Sequence, residues 1–291
     1  MKNLSCKIVA FDMDGTLLNG ESKMAEATKE ACLALQAQGV KLVLSTGRPY
    51  RSACVAVDNF KFDGYVCSNG SAIFNADGEL MQYKSLDGAL VVDIIEKVRH
   101  SNIYYEAHDQ SSFRWMVEED KEKIKEMLMN AGSLERVSTT EFNNRTFSFT
   151  EMATFIKKDE LVTKIKSGEF EISKMFFWHS DPTMLAWLRE QAINWEGKMA
   201  LTSSGPHNVE IMPVNMNKWV GLQYFMKEWS VPREETAAFG DEMNDFEILS
   251  EVGIPIVMEN GNADLKKLTK YIAKHHCEDG VACFIREHLL G

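Results

Sequence analysis

Lys7-Ile8-Val9-Ala10-Phe11-Asp12-Met13-Asp14-Gly15-Thr16-Leu17-Leu18 is the stretch on which the reading of this chain turns. An apolar run climbs out of the N-terminus and stops at two carboxylates one residue apart, and Gly and Thr follow at once as turn formers. Residues at i and i+2 of an extended segment lean the same way, so Asp12 and Asp14 can converge on one spot. Two carboxylates that close repel unless a cation or a shared proton lies between them. By itself the stretch fits a solvated acidic turn closing a buried strand equally well, so the rest of the chain must decide.

Downstream, Met24 to Gln38 reads as a helix, with Ala27, Ala31, Ala34 and Leu35 on one stripe and Gly39 at the C-cap position. Val40 to Leu44 is a strand running into Ser45-Thr46-Gly47-Arg48-Pro49, and a second helix spans Tyr50 to Asn59. Asp63 to Cys67 is a third strand, ending in Ser68-Asn69-Gly70-Ser71. This β-α-β-α-β rhythm predicts a parallel, doubly wound sheet, which binds ligands beyond the carboxyl ends of its strands. The rhythm then changes. Ala72 to Lys84 predicts a hairpin turning at Asn75-Ala76-Asp77-Gly78. Helices at Leu86–His100, Lys121–Ala131, Lys158–Lys166 and Pro182–Trp195 follow, among strands at Ile103–His108, Phe113–Glu118, Ile172–Trp178, Lys198–Ser203 and His207–Met212. That mixture predicts an α+β unit with an antiparallel sheet, and Thr139 to Glu151 reads as a loop. The expected organisation is an α/β core over residues 1–82 and 214–291, with an inserted α+β domain at 83–213. In the returning core, Asn217-Lys218 leads a helix. The strand Ala237 to Gly240 meets Asp241-Glu242-Met243-Asn244-Asp245, Ile254 to Met258 is another buried strand, and Ala263 to Leu290 reads as helical segments broken at Asp279-Gly280.

A chain of 291 residues, 45% hydrophobic and 26% charged, has the composition of an ordinary globular protein. Its formal charge of −11 argues against a nucleic-acid partner, which needs an excess of Lys and Arg, but leaves room for small phosphorylated ligands. No apolar run approaches a membrane span, and Asp12 and Asp14 interrupt the one candidate signal sequence. The six cysteines show no zinc-like spacing and sit mostly in apolar or helical patterns, predicting buried free thiols and a reducing cytoplasm. The histidines form no metal pattern either.

Single motifs are weak. The Asp241–Asp245 cluster alone reads as a decorated helix N-terminus, Ser45-Thr46-Gly47 as an N-cap or an anion site, and Lys218 as a solvated lysine. Oxygen ligands from loops are nevertheless what Mg²⁺ takes. The joint order is specific: DxDGT, a strand ending in Thr46-Gly47-Arg48, Lys218 after a long insert, then Gly240-Asp241-Glu242-Met243-Asn244-Asp245. This order resembles the haloacid dehalogenase-like superfamily. Ser68-Asn69-Gly70-Ser71, Val257-Met258-Glu259-Asn260 and Glu278-Asp279-Gly280-Val281-Ala282 resemble its Cof-type subfamily with a C2B cap.

The resemblance implies an Mg²⁺-dependent phosphatase of a small phosphorylated metabolite, a sugar phosphate first of all. Asp12 is then the nucleophile, and Asp14 the acid and base, protonated at the start. The metal is held by Asp12, the carbonyl of Asp14, and Asp241. Thr46 and the Gly47 N–H bind phosphate, with Ser45 beside them, and Lys218 stabilises the transferring group. Asn244 and Asp245 organise the metal's waters or orient Lys218, and Asn69 and Asn260 are neighbours of the site. Met13 replaces the usual Leu, Glu242 adds a charge beside Asp241, and Glu259 stands where Gly is usual in the local turn. In the cap, Tyr105, His108, Arg114, Trp115, His179 and His207 are candidates to reach the substrate, although an ordinary structural role is commoner for each. Phe176, Phe177, Trp178 and Trp187 read as cap core. Alternatives are a phosphomutase or phosphotransferase, and a non-catalytic phospho-ligand binder. Haloalkanoate dehalogenation has no use for Asp14 or the metal cluster. The chain is expected to act as a monomer or small homo-oligomer.

Overall fold

The computed structural model describes residues 4–131, 153–195 and 197–290, so the loop read at Thr139–Glu151 lies outside them. The chain divides into two compact units, Met1–Tyr83 with Asn215–Gly291, and Lys84–Val214. The first unit opens with strands β1 (Ile8–Phe11), β2 (Lys41–Ser45), β3 (Gly64–Cys67), β4 (Ala72–Asn75) and β5 (Leu80–Tyr83). The second carries β6 (Tyr104–Asp109), β7 (Arg114–Val117), β8 (Ala153–Ile156), β9 (Ile172–Trp178), β10 (Ala200–Thr202) and β11 (Asn208–Met212). On return to the first unit come β12 (Thr236–Gly240), β13 (Ile254–Met258) and β14 (Ile272–Ala273).

Among the described residues the first unit's sheet runs β14-β13-β12-β1-β2-β3-β4-β5. It is parallel from β14 to β3, and the β4–β5 hairpin adds antiparallel strands. β1 is apolar at every position because both of its faces are covered. Val9 and Phe11 join Leu42, Leu44 and the helix Glu26–Ala37 in one core layer. Ile8 and Ala10 join Val43, Val66 and the helix Lys218–Glu228 in the other. The register sets Phe11 beside both Leu44 and Phe239, so β1, β2 and β12 end level with one another. The chain leaves β1 towards β2 on one side and returns as β12 on the other, and such a switch point is where this kind of sheet opens a ligand crevice.

The elements match the expected class, with local differences. The buried stripe of the first helix is Thr28, Ala31, Cys32 and Leu35, turned slightly from the alanine stripe. The C-terminal section contains β14 besides helical turns. Its two residues are extended by pairing with Val257 and Met258, a tertiary cause that no local periodicity reveals. All six cysteines are free, but only Cys32 and Cys67 are buried, while Cys277 is exposed. No helix among the described residues is long and apolar enough to cross a membrane.

Among the described residues of the second unit the sheet order is β10-β11-β9-β6-β7-β8, antiparallel except for the β7–β8 pair. Asp87 caps the helix Gly88–Val98 by accepting from the Leu90 N–H at 2.9 Å. Val91, Ile94, Ile95 and Val98 of that helix share a core with Tyr105, Ala107, Met175, Phe177 and Val209. Phe176 and Trp187 pack against this core, and Trp178 is buried in it. The helix read at Pro182–Trp195 is a short α-helix, Ala186–Ala192, between 3₁₀ turns.

Candidate active site

Asp12 ends β1 and begins the tight loop Met13–Leu17, closed by Leu17 N–H to Asp12 O at 3.2 Å and Leu18 N–H to Met13 O at 2.9 Å. Gly15 takes φ +81°, and a Cβ there would come within 2.2 Å of Asp241 Oδ2, so glycine alone lets the two loops meet. Thr16 Oγ1 donates to Asp241 Oδ1 at 3.0 Å. Lys218, at the first turn of its helix and 0% exposed, donates to Asp12 Oδ1 at 2.5 Å and to Asp245 Oδ1 at 2.6 Å. The other oxygen of Asp245 accepts the N–H groups of Asp241 (3.1 Å) and Glu242 (3.3 Å). Asn217 caps the Lys218 helix through the Val220 N–H at 2.9 Å.

Charge is out of balance here. Asp12, Asp241 and Asp245 are buried, with carboxylate oxygens within 4.8 Å of one another, and Lys218 is the ammonium among them. Burial pushes the Asp12 carboxyl up; Lys218 pulls against it, and Asp245 and Asp14 push with it. Asp241 is raised by burial and by Asp12 and Asp245, against the Thr16 hydroxyl and Lys218. Burial pulls the Lys218 ammonium down, but Asp12 and Asp245 together hold its pKa above the ordinary lysine value. Three buried carboxylates facing one ammonium are a donor set suited to a hard divalent cation.

Asp14 lies apart from that set. Its half-exposed carboxylate accepts a two-pronged bond from Arg48, Nε at 2.8 Å and Nη2 at 2.5 Å. Thr46, just beyond β2, donates its N–H to Val66 O at 2.8 Å and accepts the Arg48 N–H on Oγ1 at 3.1 Å, leaving Gly47 at the bend. Ser45 Oγ is buried with no hydrogen-bond partner among the described residues. Ser68 and Asn69 both adopt left-handed backbone, and Asn69 N–H donates to Thr46 O at 3.0 Å. Asn244 Nδ2 donates to Asn69 Oδ1 at 3.3 Å, and Asn260 Nδ2 to the Gly15 carbonyl at 2.7 Å. Thr16 and Arg48 close the motifs DxDGT and Thr46-Gly47-Arg48, and that membership is the sequence signal for a place in the site.

The family described as haloacid dehalogenase-like hydrolase matches residues 9–285. The chain belongs to this family. It is 25% identical over 293 residues to the phosphatase YwpJ of Bacillus subtilis, covering 98% of this chain and 100% of the relative. It is 28% identical over 287 residues to the 5-amino-6-(5-phospho-D-ribitylamino)uracil phosphatase YitU of the same organism, covering 97% of each. The solved structure of a haloacid dehalogenase-like hydrolase from B. subtilis shares the fold, with a TM-score of 0.80, 22% identity, and coverage of 97% of this chain and 100% of that one.

Three departures from the usual haloacid dehalogenase-like pattern have local explanations. Met13 is fully buried in the core beside β1. Glu242 makes a reciprocal cap with Asp245. Glu259 is not among the residues with positive φ, so the turn there does not require glycine. In the inserted unit, Tyr105 donates to Asp120 at 2.6 Å, Trp115 Nε1 to Asp109 at 2.8 Å, and His179 Nδ1 accepts the Asp181 N–H at 2.9 Å. His207 Nδ1 is 3.3 Å from the His179 carbonyl. His108 and Arg114 both engage buried Glu106, His108 Nε2 at 2.9 Å and Arg114 Nε at 2.7 Å.

Proposed function

We propose that this haloacid dehalogenase-like hydrolase is a phosphoric monoester hydrolase that releases phosphate from a small phosphorylated metabolite through an aspartyl-phosphate on Asp12. The observation that carries the reading is the buried contact of Lys218 with Asp12 and Asp245 at the ends of the central strands. The named phosphatase relatives support the class, and the phospho-D-ribityl group in the name of one supports a sugar-like phosphate.

In this reading the Asp12 carboxylate attacks phosphorus in line, the bond to the leaving oxygen breaks, and Asp14, which must first leave Arg48 and take up a proton, gives that oxygen the proton. Water then attacks the phosphorus of the acyl phosphate, returns a proton to Asp14, and frees phosphate and Asp12. Lys218 sets its charge against the transferring group, and Thr46, the Gly47 N–H, Ser45 and Asn244 hold its oxygens. The surplus of buried carboxylates fits Mg²⁺, with Asp12, Asp241 and the Asp14 carbonyl as the residues that would hold it. When bound, Mg²⁺ offsets the repulsion between an anionic nucleophile and an anionic phosphate. Asp245 fixes Lys218 and the Asp241 loop, while Asn69 and Asn260 brace their surroundings. Residues 83–213 act as the C2B-type cap that selects the leaving group, and the free thiols support a reducing, cytoplasmic setting.

A screen of phosphate release over metabolite phosphates at varied Mg²⁺ tests this, with Asp12→Asn expected to abolish release. Undiminished release from Asp12→Asn overturns the reading. Accumulation of an isomeric sugar phosphate in place of free phosphate points to a mutase, and tight ligand binding without turnover points to a binding role.

A further inference from the structure

A second group of side chains with metal-ligand donors, softer than those of the acidic centre and sharing no residue with it, is formed by three consecutive residues. His275, His276 and Cys277 place their ligand atoms within 4.8 Å of one another, the histidines half-buried and Cys277 exposed. His276 Nε2 and Cys277 Sγ are 3.5 Å apart. A tetrahedral zinc ion, with bonds of about 2.0 Å to nitrogen and about 2.3 Å to sulfur, separates those two atoms by about 3.5 Å. The pair is therefore already spaced as ligands of one ion.

Tautomer and access agree with this. His276 Nδ1 lies 2.8 Å from the Leu18 carbonyl, which can only accept, so Nδ1 carries the proton and the neutral ring presents its lone pair on Nε2. A backbone carbonyl on the far nitrogen is the usual partner of a metal-binding histidine. His275 accepts the Cys277 N–H on Nδ1 at 3.1 Å, so its other nitrogen carries the proton and Nδ1 is the atom it offers to an ion, on giving up that bond. Gly20 borders the sulfur, where a Cβ would approach to 3.1 Å, so glycine keeps that side open. One thiolate with two imidazoles selects zinc-class ions over Mg²⁺.

We propose that His275, His276 and Cys277 bind one thiophilic divalent ion, zinc in the first instance, and that the ion steadies the Asp12–Leu18 loop. Binding replaces the thiol proton: Cys277–SH and the divalent ion give the metal thiolate and one released proton. The route to the loop is short. His276 reaches Leu18 directly, and its N–H donates at 3.1 Å to Asn260 Oδ1, whose Nδ2 holds the Gly15 carbonyl at 2.7 Å. The site does not depend on the phosphatase reading.

Cobalt(II) titration of the full chain tests the site. The expected result is one ion per chain with a thiolate-to-cobalt charge-transfer band, absent in Cys277→Ser, at least tenfold weaker in His276→Gln, and retained in Asp241→Asn. Zinc should also slow alkylation of Cys277 by iodoacetamide at least tenfold, read peptide by peptide. A missing band, a band that survives Cys277→Ser, or alkylation indifferent to zinc overturns the site. Zinc should slow hydrogen exchange at residues 15–18 in the natural chain but not in Cys277→Ser; unchanged exchange overturns the effect on the loop.

Discussion

Lys218 carries one positive charge into a fully buried position where Asp12 and Asp245 carry two negative ones. Lys218→Met keeps much of the side chain's volume but strands both carboxylates, and removing one partner of a buried ion pair costs about 3–5 kcal/mol. Phosphate release should fall by roughly 10²–10³-fold, the range for losing one donor to a developing anion. Urea unfolding and kcat on the best substrate measure the two effects, and a stable, active Lys218→Met would remove Lys218 from both roles. Asp12, Lys218 and Asp241 are far apart in the chain, and it was the order of their motifs that singled them out. The pairings Thr16 with Asp241 and Arg48 with Asp14 were not legible, because a hydroxyl after Gly15 and an arginine after Gly47 also suit a solvated turn. Which carboxylate each one meets is decided by strand register.

Among the elements, the turn after β3 and the start of the Lys218 helix are joined at Gly70. It takes φ +95°, and a Cβ there would stand 2.1 Å from the Asn217 carbonyl, against backbone that cannot swing aside. Gly70→Ala should therefore cost about 1–3 kcal/mol in backbone strain and also displace the helix end that carries Lys218, lowering kcat more than it changes KM. Gly39→Ala is the control. Its φ is +84° with nothing within 4 Å of the added atom, so about 1 kcal/mol is expected with kcat unchanged. Equal thermal shifts and equal kcat in the two variants would break the proposed link. The long periodic elements of both units were readable from sequence, as was Gly39 closing its helix. β14 and β8 were not, since strands of two and four residues beside unpatterned sequence owe their extension to a neighbour, Ile254–Met258 for β14 and Arg114–Val117 for β8.

For the whole chain, two linkages with solution conditions follow from buried charge. Mg²⁺ that binds the folded acidic centre and not the unfolded chain should raise stability by about 2.7 kcal/mol at a hundredfold excess over its dissociation constant. Because Asp12 and Asp241 are both raised towards protonation, that gain should shrink as pH falls, which thermal unfolding with and without Mg²⁺ at several pH values would register.

The second linkage lies in the inserted unit, where β6, β7, β9 and β11 bury Glu106, His108, Arg114, Lys174 and Glu210. Burial holds the His108 imidazole down, from 6.5 to about 4, overriding the pull of Glu106. Burial pushes Glu106 up, but Arg114 and His108 outweigh it and bring the carboxyl from 4.5 to about 2. In both groups the folded value lies below the unfolded one, so on acidification the unfolded chain takes up protons first and stability falls. For His108 the loss runs from pH 6.5 to about 4 and amounts to roughly 3 kcal/mol, since one pKa unit is about 1.4 kcal/mol. For Glu106 the contribution is complete above pH 4.5 and is lost as pH falls to about 2. Four of the six tryptophans, Trp115, Trp178, Trp187 and Trp195, lie in Lys84–Val214, so with Trp219 and Trp229 of the other unit replaced by Phe, tryptophan fluorescence in urea follows this unit. His108→Gln should flatten the pH dependence between 6.5 and 4 and leave the fall below 4.5, because Arg114 still holds Glu106. The same slope in His108→Gln and the natural chain would mean that the histidine is already charged in the fold.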